Sequence, residues 1–359
     1  MATLADLPIR DDLRGLSPYG APQESVPIAL NVNENTHPIP EDVATDIVTA
    51  IAAEILTINR YPDREFTGLR EALAGYLGHG LAAENIWAAN GSNEVLQQIL
   101  QAFGGPGRSV LGFPPTYSMH SIIASGTGTR WVEAERDEGF EISPETAVAA
   151  IEREKPDLVF FCSPNNPTGT PLSLETIAAA YEATAGIVVV DEAYAEFARE
   201  GTPSAITLLD GRPRLIVSRT MSKAFAFAGA RLGYLAADPA VADALRLVRL
   251  PYHLSALTQA AATAALAHSD EMLAMVDDIK AQRDRLLNEL PRLGFHAWPS
   301  ASNFVLFGGV PDPHAVFEAL LERGIIIRDL GIPGHLRVTA GTEAETTAFL
   351  EALAELGVR

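Results

Sequence analysis

Short, largely apolar runs, each followed by a polar turn, constrain this chain more than any other feature. Six of them occupy 109–113, 130–132, 158–162, 187–190, 215–218 and 232–236. Helical spacing fills 93–103, 145–154 and 174–184 between several of these runs. A strand that is apolar along its whole length must be covered on both faces, and the intervening helices are the available cover. The expected class is therefore α/β, with a mainly parallel sheet at its centre.

Beyond Pro239 the pattern changes. One long helix is expected over 255–290, followed by strands at 304–306, 325–328 and 336–339 and helices at 313–322 and 343–356. This reads as a smaller α+β domain. The Pro- and Gly-rich beginning reads as an arm lying on the body or on a partner. The expected boundaries are an arm over 1–30, a large domain over 31–250 and a small domain over 251–359. A chain of 359 residues, 47% of them hydrophobic, can bury cores of that size.

The formal charge of −20 opposes nucleic acid and anionic membranes as partners, because both need clustered Lys and Arg. An anionic ligand must then be captured by individual arginines. The single cysteine, Cys162, lies inside an apolar run and reads as a buried structural thiol. The first residues contain no apolar signal core, and no stretch approaches the roughly 18–20 apolar residues that span a bilayer. A cytoplasmic location is expected, and no metal site.

In open α/β sheets ligands bind beyond the carboxyl ends of the strands. Four polar motifs fall at such places: SPNNPTG (163–169), DEAY (191–194), RTMSK (219–223) and, ahead of a helix, NGS (90–92). In a chain poor in lysine, Lys223 stands beside Ser222 and is followed by Ala224-Phe225-Ala226-Phe227 rather than by other charges. An amine in that setting suits Schiff-base chemistry and proton transfer, although a lysine snorkelling from a helix end reads similarly in isolation. Asp191 closes an apolar run, where a carboxylate needs a partner or caps the next helix. Asn166 could serve as a turn residue and Ser92 as an ordinary helix cap.

Taken together, SPNNPTG, VVVDEAY and SRTMSKAFAFAGARLGY resemble the signature of fold-type-I pyridoxal-phosphate aminotransferases. LNVNENTHP (30–38), RYPD (60–63), AANGSNEVLQQ (88–98), PPTYSMH (114–120) and LRVTAGT (336–342) narrow the likeness to the histidinol-phosphate aminotransferases. The resemblance covers essentially the whole chain. It implies a seven-stranded, mainly parallel sheet and pyridoxal 5'-phosphate as cofactor. Lys223 would carry the cofactor, Asp191 would pair with its ring nitrogen, and Asn166 and Tyr194 would bond its phenolic oxygen. Gly91, Ser92, Asn93, Thr220, Ser222 and Arg231 would hold its phosphate, and Tyr117 would stack on its ring. Tyr61 would reach the phosphate of a neighbouring subunit, which implies a homodimer with shared sites. Arg337 would grip a substrate carboxylate and Arg328 a substrate phosphate, with Tyr19 and Asn33 lining the pocket.

The activity that this resemblance implies is transamination between L-histidinol phosphate and 2-oxoglutarate, giving imidazole-acetol phosphate and glutamate. An aromatic-amino-acid aminotransferase would keep every cofactor residue and differ only in its pocket. A phosphothreonine decarboxylase is similar to the same family. A cofactor-binding regulator would need a DNA-binding segment, for which neither a basic extension nor the net charge speaks.

Overall fold

The computed structural model describes residues 2–15 and 18–357. A first strand, β1 (Ile28–Ala29), lies apart from the main sheet. The main sheet contains β2 (Ile86–Ala89), β3 (Ser109–Gly112), β4 (Arg130–Glu133), β5 (Leu158–Cys162), β6 (Ile187–Asp191), β7 (Leu215–Thr220) and β8 (Gly233–Ala237). Their spatial order is β2-β8-β7-β6-β5-β3-β4, and β8 alone runs antiparallel to its neighbours. The expected mainly parallel α/β sheet of seven strands is present. Strands β2, β3 and β5 are buried along their whole length. Helices on both faces account for that burial.

Helices α1 (Glu41–Ile55) and α2 (Thr67–Leu77) precede the sheet. Its strands are linked or followed by α3 (Ser92–Phe103), α4 (Met119–Gly126), α5 (Pro144–Glu154), α6 (Leu174–Ala183) and α7 (Pro239–Val248). Local chemistry sets several of these ends. Ser143 and Ser173 accept the backbone N–H of Thr146 and Thr176, capping α5 and α6. Pro144 and Pro239 occupy the first turns of their helices, where no backbone donor is needed.

The single long helix expected over 255–290 is two helices, α8 (Ala256–Ala267) and α9 (Ser269–Arg292). Residue His268 leaves helical geometry at φ −114°, ψ 34°, and its Nε2 lies 2.8 Å from Asp46 of α1. Helix α8 packs on α1 and α2, whereas α9 runs along the C-terminal sheet, so one straight rod could not serve both. That sheet orders as β12-β13-β10-β9, from β9 (His296–Ala297), β10 (Phe304–Gly308), β12 (Arg328–Asp329) and β13 (His335–Thr339). Helices α10 (Pro313–Leu321) and α11 (Glu343–Glu355) accompany it.

The expected strand at 325–328 is likewise divided. Strand β11 (Ile325–Ile326) pairs parallel with β1, and β12 pairs antiparallel with β13. Buried Ile327 separates the two, so the chain changes partner there. The N-terminal segment is thus stitched to the C-terminal sheet: Leu30 N–H donates to Ile326 O and Thr339 N–H to Leu30 O.

Candidate active site

Register brings the first chemical groups together. Cys162, Asp191 and Ser218 are neighbours across β5, β6 and β7 at the carboxyl ends of these strands. A cavity of about 390 Å³ opens there, between the main sheet, residues 19–33 and the 328–337 region. Among the residues expected at the site, Tyr19, Asn33, Ser92, Asn93, Tyr117, Asn166, Asp191, Tyr194, Thr220, Ser222, Lys223, Arg231, Arg328 and Arg337 all line it.

The Lys223 amine donates to the backbone carbonyl of Val32 at 2.9 Å. Burial lowers the amine to about 8, with Arg337 adding to the effect. A lysine so placed reaches its neutral, nucleophilic form at much lower pH than a solvated one.

Asp191, 1% exposed, accepts from Ser218 Oγ at 3.1 Å and faces His120 Nε2 at 3.1 Å. His120 is fully buried on α4 and packs edge-on against Tyr117 and Phe160. Nothing in PPTYSMH (114–120) points to this contact of His120. No local signal could have found it, because its partner lies 71 residues away.

Tyr194, 4% exposed, accepts hydrogen bonds from Asn33 Nδ2 at 2.9 Å and Asn166 Nδ2 at 3.2 Å. Burial pushes its phenol up, opposed by the nearby Arg337. The Tyr117 hydroxyl donates to Asn93 Oδ1 at 3.2 Å, which ties the ring to the start of α3.

That start is built for close approach. Gly91 has φ +88°, and a Cβ placed there would lie 2.3 Å from the Arg231 guanidinium. A Cβ on Gly233 would meet the Ser92 backbone nitrogen at 2.1 Å. Glycine at both positions lets β8 and the helix start touch, with Arg231 beside the first amides of α3. Arg231 also donates to Ser222 Oγ at 3.4 Å. Thr220 lines the cavity as expected of a site residue. Its hydroxyl donates to Leu232 O at 3.2 Å and accepts from Ser222 N–H at 3.1 Å, so its hydrogen is used within the fold.

Arg337, 5% exposed, donates to Asn166 Oδ1 and, at 2.8 Å, to Asn31 O, and lies over the Phe304 ring. Its Nε is buried without a partner among the described residues. Burial lowers its guanidinium to about 10, a shift that Arg328 reinforces and Tyr194 opposes. Arg328 and Arg337 are register partners on β12 and β13. Among the described residues, no carboxylate pairs with either. Asp329, adjacent in sequence to Arg328, instead accepts Gly331 N–H at 2.8 Å and faces His314 at 3.6 Å.

Tyr61 lies outside the cavity. It is 80% exposed and stacks on Tyr252 with ring centroids 4.4 Å apart.

The comparisons with known proteins give the family. Residues 25–353 match the family described as aminotransferase class I and II. The chain belongs to that family. This aminotransferase is 65% identical over 353 residues to a histidinol-phosphate aminotransferase of Paenarthrobacter aurescens, covering 98% of this chain and 95% of that one. It is 59% identical to the histidinol-phosphate aminotransferase of Thermobifida fusca, covering 98% and 96% of the two chains. Among solved structures, it superposes with a TM-score of 0.84 on the Sinorhizobium meliloti histidinol-phosphate aminotransferase in complex with pyridoxal 5'-phosphate. That match is at 29% identity and covers 92% of this chain and 91% of the other. Among the described residues, no helix of this aminotransferase is long and apolar enough to cross a membrane.

Proposed function

We propose that this aminotransferase moves the amino group of L-histidinol phosphate to 2-oxoglutarate, giving imidazole-acetol phosphate and glutamate, with pyridoxal 5'-phosphate as cofactor. The observation that carries the reading is the pair Arg337 and Arg328, two cations on adjacent strands without a carboxylate partner among the described residues and in one cavity with Lys223. Histidinol phosphate has no α-carboxylate and brings a phosphate, whereas glutamate brings two carboxylates. A planar guanidinium donates to either oxyanion in a two-pronged contact, so one arginine pair can serve both substrates. The names of the relatives at 65% and 59% identity support the same choice.

The residues fit the cofactor. Arg231, Ser222 and the first amides of α3 would hold its phosphate, and Asp191, kept in place by Ser218 and His120, would face a cationic ring nitrogen. Bound there, pyridoxal phosphate supplies a carbonyl for amines and a ring that accepts electrons. The remaining work belongs to the chain. Lys223, with its lowered pKa, would be the base that takes the proton from the substrate α-carbon and, as the conjugate acid, the group that holds it for return. Arg337 fixes the substrate so that the carbon–hydrogen bond faces that amine. Tyr194 donates its hydrogen toward the cavity, and the apolar side chains of Leu330 and Ile332 line its wall.

The site is read as shared between two copies of this chain. Tyr61, Leu56, Ile58, Leu247 and Leu250 are all more than half exposed, an apolar display that a partner copy would cover. Light scattering is expected to give a dimer. Tyr61→Phe should weaken cofactor binding by about 1.5–3 kcal/mol at most, the worth of one bond to a charged group. A fully active monomer would remove this part of the reading.

The deciding measurement is kcat/KM for histidinol phosphate against phenylalanine, each with 2-oxoglutarate as acceptor. Preference for histidinol phosphate is expected. Preference for phenylalanine would reassign the substrate and leave the cofactor chemistry in place.

A further inference from the structure

Two lone pairs and one hydrogen are all that a phenol can offer. On Tyr194 both lone pairs are engaged, by the amide groups of Asn33 and Asn166. The orientation of each amide is set by a separate donor. Arg337, which can only donate, holds Asn166 Oδ1. Thr339 Oγ1 accepts the Asn33 backbone N–H at 3.1 Å and donates to Asn33 Oδ1 at 3.2 Å. Asn33 itself is 2% exposed, sits at φ +57° and has its carbonyl held by Asn303 Nδ2 at 3.1 Å. Asparagine tolerates that left-handed backbone better than most residues. Every polar atom of Asn33 is therefore satisfied, and its side chain has one orientation.

We infer that Asn33 is a positioning residue that, with Thr339 behind it, fixes Tyr194 so that the only phenolic hydrogen points into the cavity. The resemblance assigned Asn33 to the pocket wall; the hydrogen bonds give it this second task. The consequence rests on the functional reading above. A phenol that can only donate stabilises an anionic oxygen on the bound cofactor and so loosens the proton on the Lys223 nitrogen joined to it. Without Asn33 one lone pair is freed, the phenol can rotate, and that proton is held more tightly.

The test is a pH titration of the visible absorbance of the cofactor-loaded protein, which reads the apparent pKa of that nitrogen. Asn33→Gly keeps the left-handed backbone without strain and removes the amide. It should raise the apparent pKa by about one pH unit, the differential worth of one hydrogen bond to a charged group. Thr339→Val leaves Asn33 in place but free to flip, and should shift the titration in the same direction by less. It also serves if the glycine variant does not fold. Tyr194→Phe should raise the pKa as well, and in that background Asn33→Gly should add little, because its effect passes through the phenol. Fully additive shifts, or titrations of Asn33→Gly and Thr339→Val that match the wild type, overturn the inference while the cofactor assignment stands. A purified protein that takes up pyridoxal phosphate without any visible band overturns the functional reading and this inference with it.

Discussion

Two arginines, both mostly buried, have opposite surroundings. Arg219, its side chain 11% exposed, pairs with Glu192 at 2.8 Å and Glu196 at 3.3 Å, and Ser204 and Tyr76 complete the cluster. The two glutamates raise its pKa against the effect of burial. Arg337, 5% exposed, has no carboxylate partner among the described residues, and its guanidinium is lowered to about 10. A fold that compensates one buried cation with two anions is able to compensate the other. Leaving Arg337 and its neighbour Arg328 uncompensated suits the proposed function, in which an anion arrives with the substrate.

The strongest way to break this comparison is to remove each cation. Arg219→Met should destabilise the protein by about 3–5 kcal/mol, because two buried carboxylates lose their partner. Denaturant midpoints with an unchanged m-value check this. Arg337→Ala should leave stability within about 1 kcal/mol of the wild type, since the loss of a donor by two neutral acceptors, Asn166 Oδ1 and Asn31 O, is offset by removal of a buried, uncompensated cation. Its kcat/KM should fall by about 3–4 kcal/mol in barrier terms for both amino donors. Arg337→Lys should recover little of that loss, because a point charge lacks the two-pronged geometry. Large stability loss in the Arg337 variant, or intact catalysis, would dissolve the distinction between the two sites.

Lys223 sharpens the same contrast through pH. Its folded pKa of about 8 lies below the ordinary 10.5. Below pH 8 the folded protein carries this amine protonated in an enclosed place, and the full cost is present. Between 8 and 10.5 the folded state releases the proton while the unfolded state keeps it, so stability rises with pH and the cost disappears. Lys223→Met in cofactor-free protein should therefore raise stability at pH 7 by about 2–3 kcal/mol at most. The gain should fade as melting is followed from pH 8 to 10.5. A gain that is independent of pH would mean that packing, not charge, explains it.

How much of this was legible in the sequence follows from what each feature depends on. The apolar strands β5, β6 and β7 and the motifs at their ends could be read because their signal is local: a buried run, then a polar turn. Strand β2 escaped because Ile86-Trp87-Ala88-Ala89 is short and half alanine, and Trp87 is held by Gln98 at 2.7 Å rather than by any strand pattern. Helix α1 escaped because only Val43 and Ile47 of its fifteen residues are buried, so its apolar face is faint. The division at His268 depends on Asp46, more than two hundred positions away. In the site, the lining residues came from motifs, but the partners that orient them did not. His120 against Asp191, Asn33 against Tyr194 and Val32 against Lys223 are contacts between distant segments, visible only once the sheet has set their register.

The smallest expected effect tests how complete the Arg219 cluster is. Glu196 accepts from the Tyr76 hydroxyl at 3.3 Å and from Arg219 at 3.3 Å, and its other oxygen is buried without a partner among the described residues. Burial raises its pKa, and Arg219 and Tyr76 oppose that rise. Tyr76→Phe removes one hydrogen bond that is stronger to the ionised carboxylate than to the neutral acid. The long distance limits the loss to about 1 kcal/mol. Because the bond favours the charged form, its removal raises the Glu196 pKa further. The deficit should therefore be largest where Glu196 is ionised and should shrink as the pH falls toward the ordinary carboxylate value of 4.5. Since the Tyr76 hydroxyl faces Glu196 rather than the cavity, kcat/KM should stay at the wild-type level. Denaturation of Tyr76→Phe at pH 8 and pH 5, with kinetics at one pH, measures both claims. A catalytic loss comparable to that of Arg337→Ala would mean that the two arginine environments are coupled, and the contrast between them would have to be redrawn.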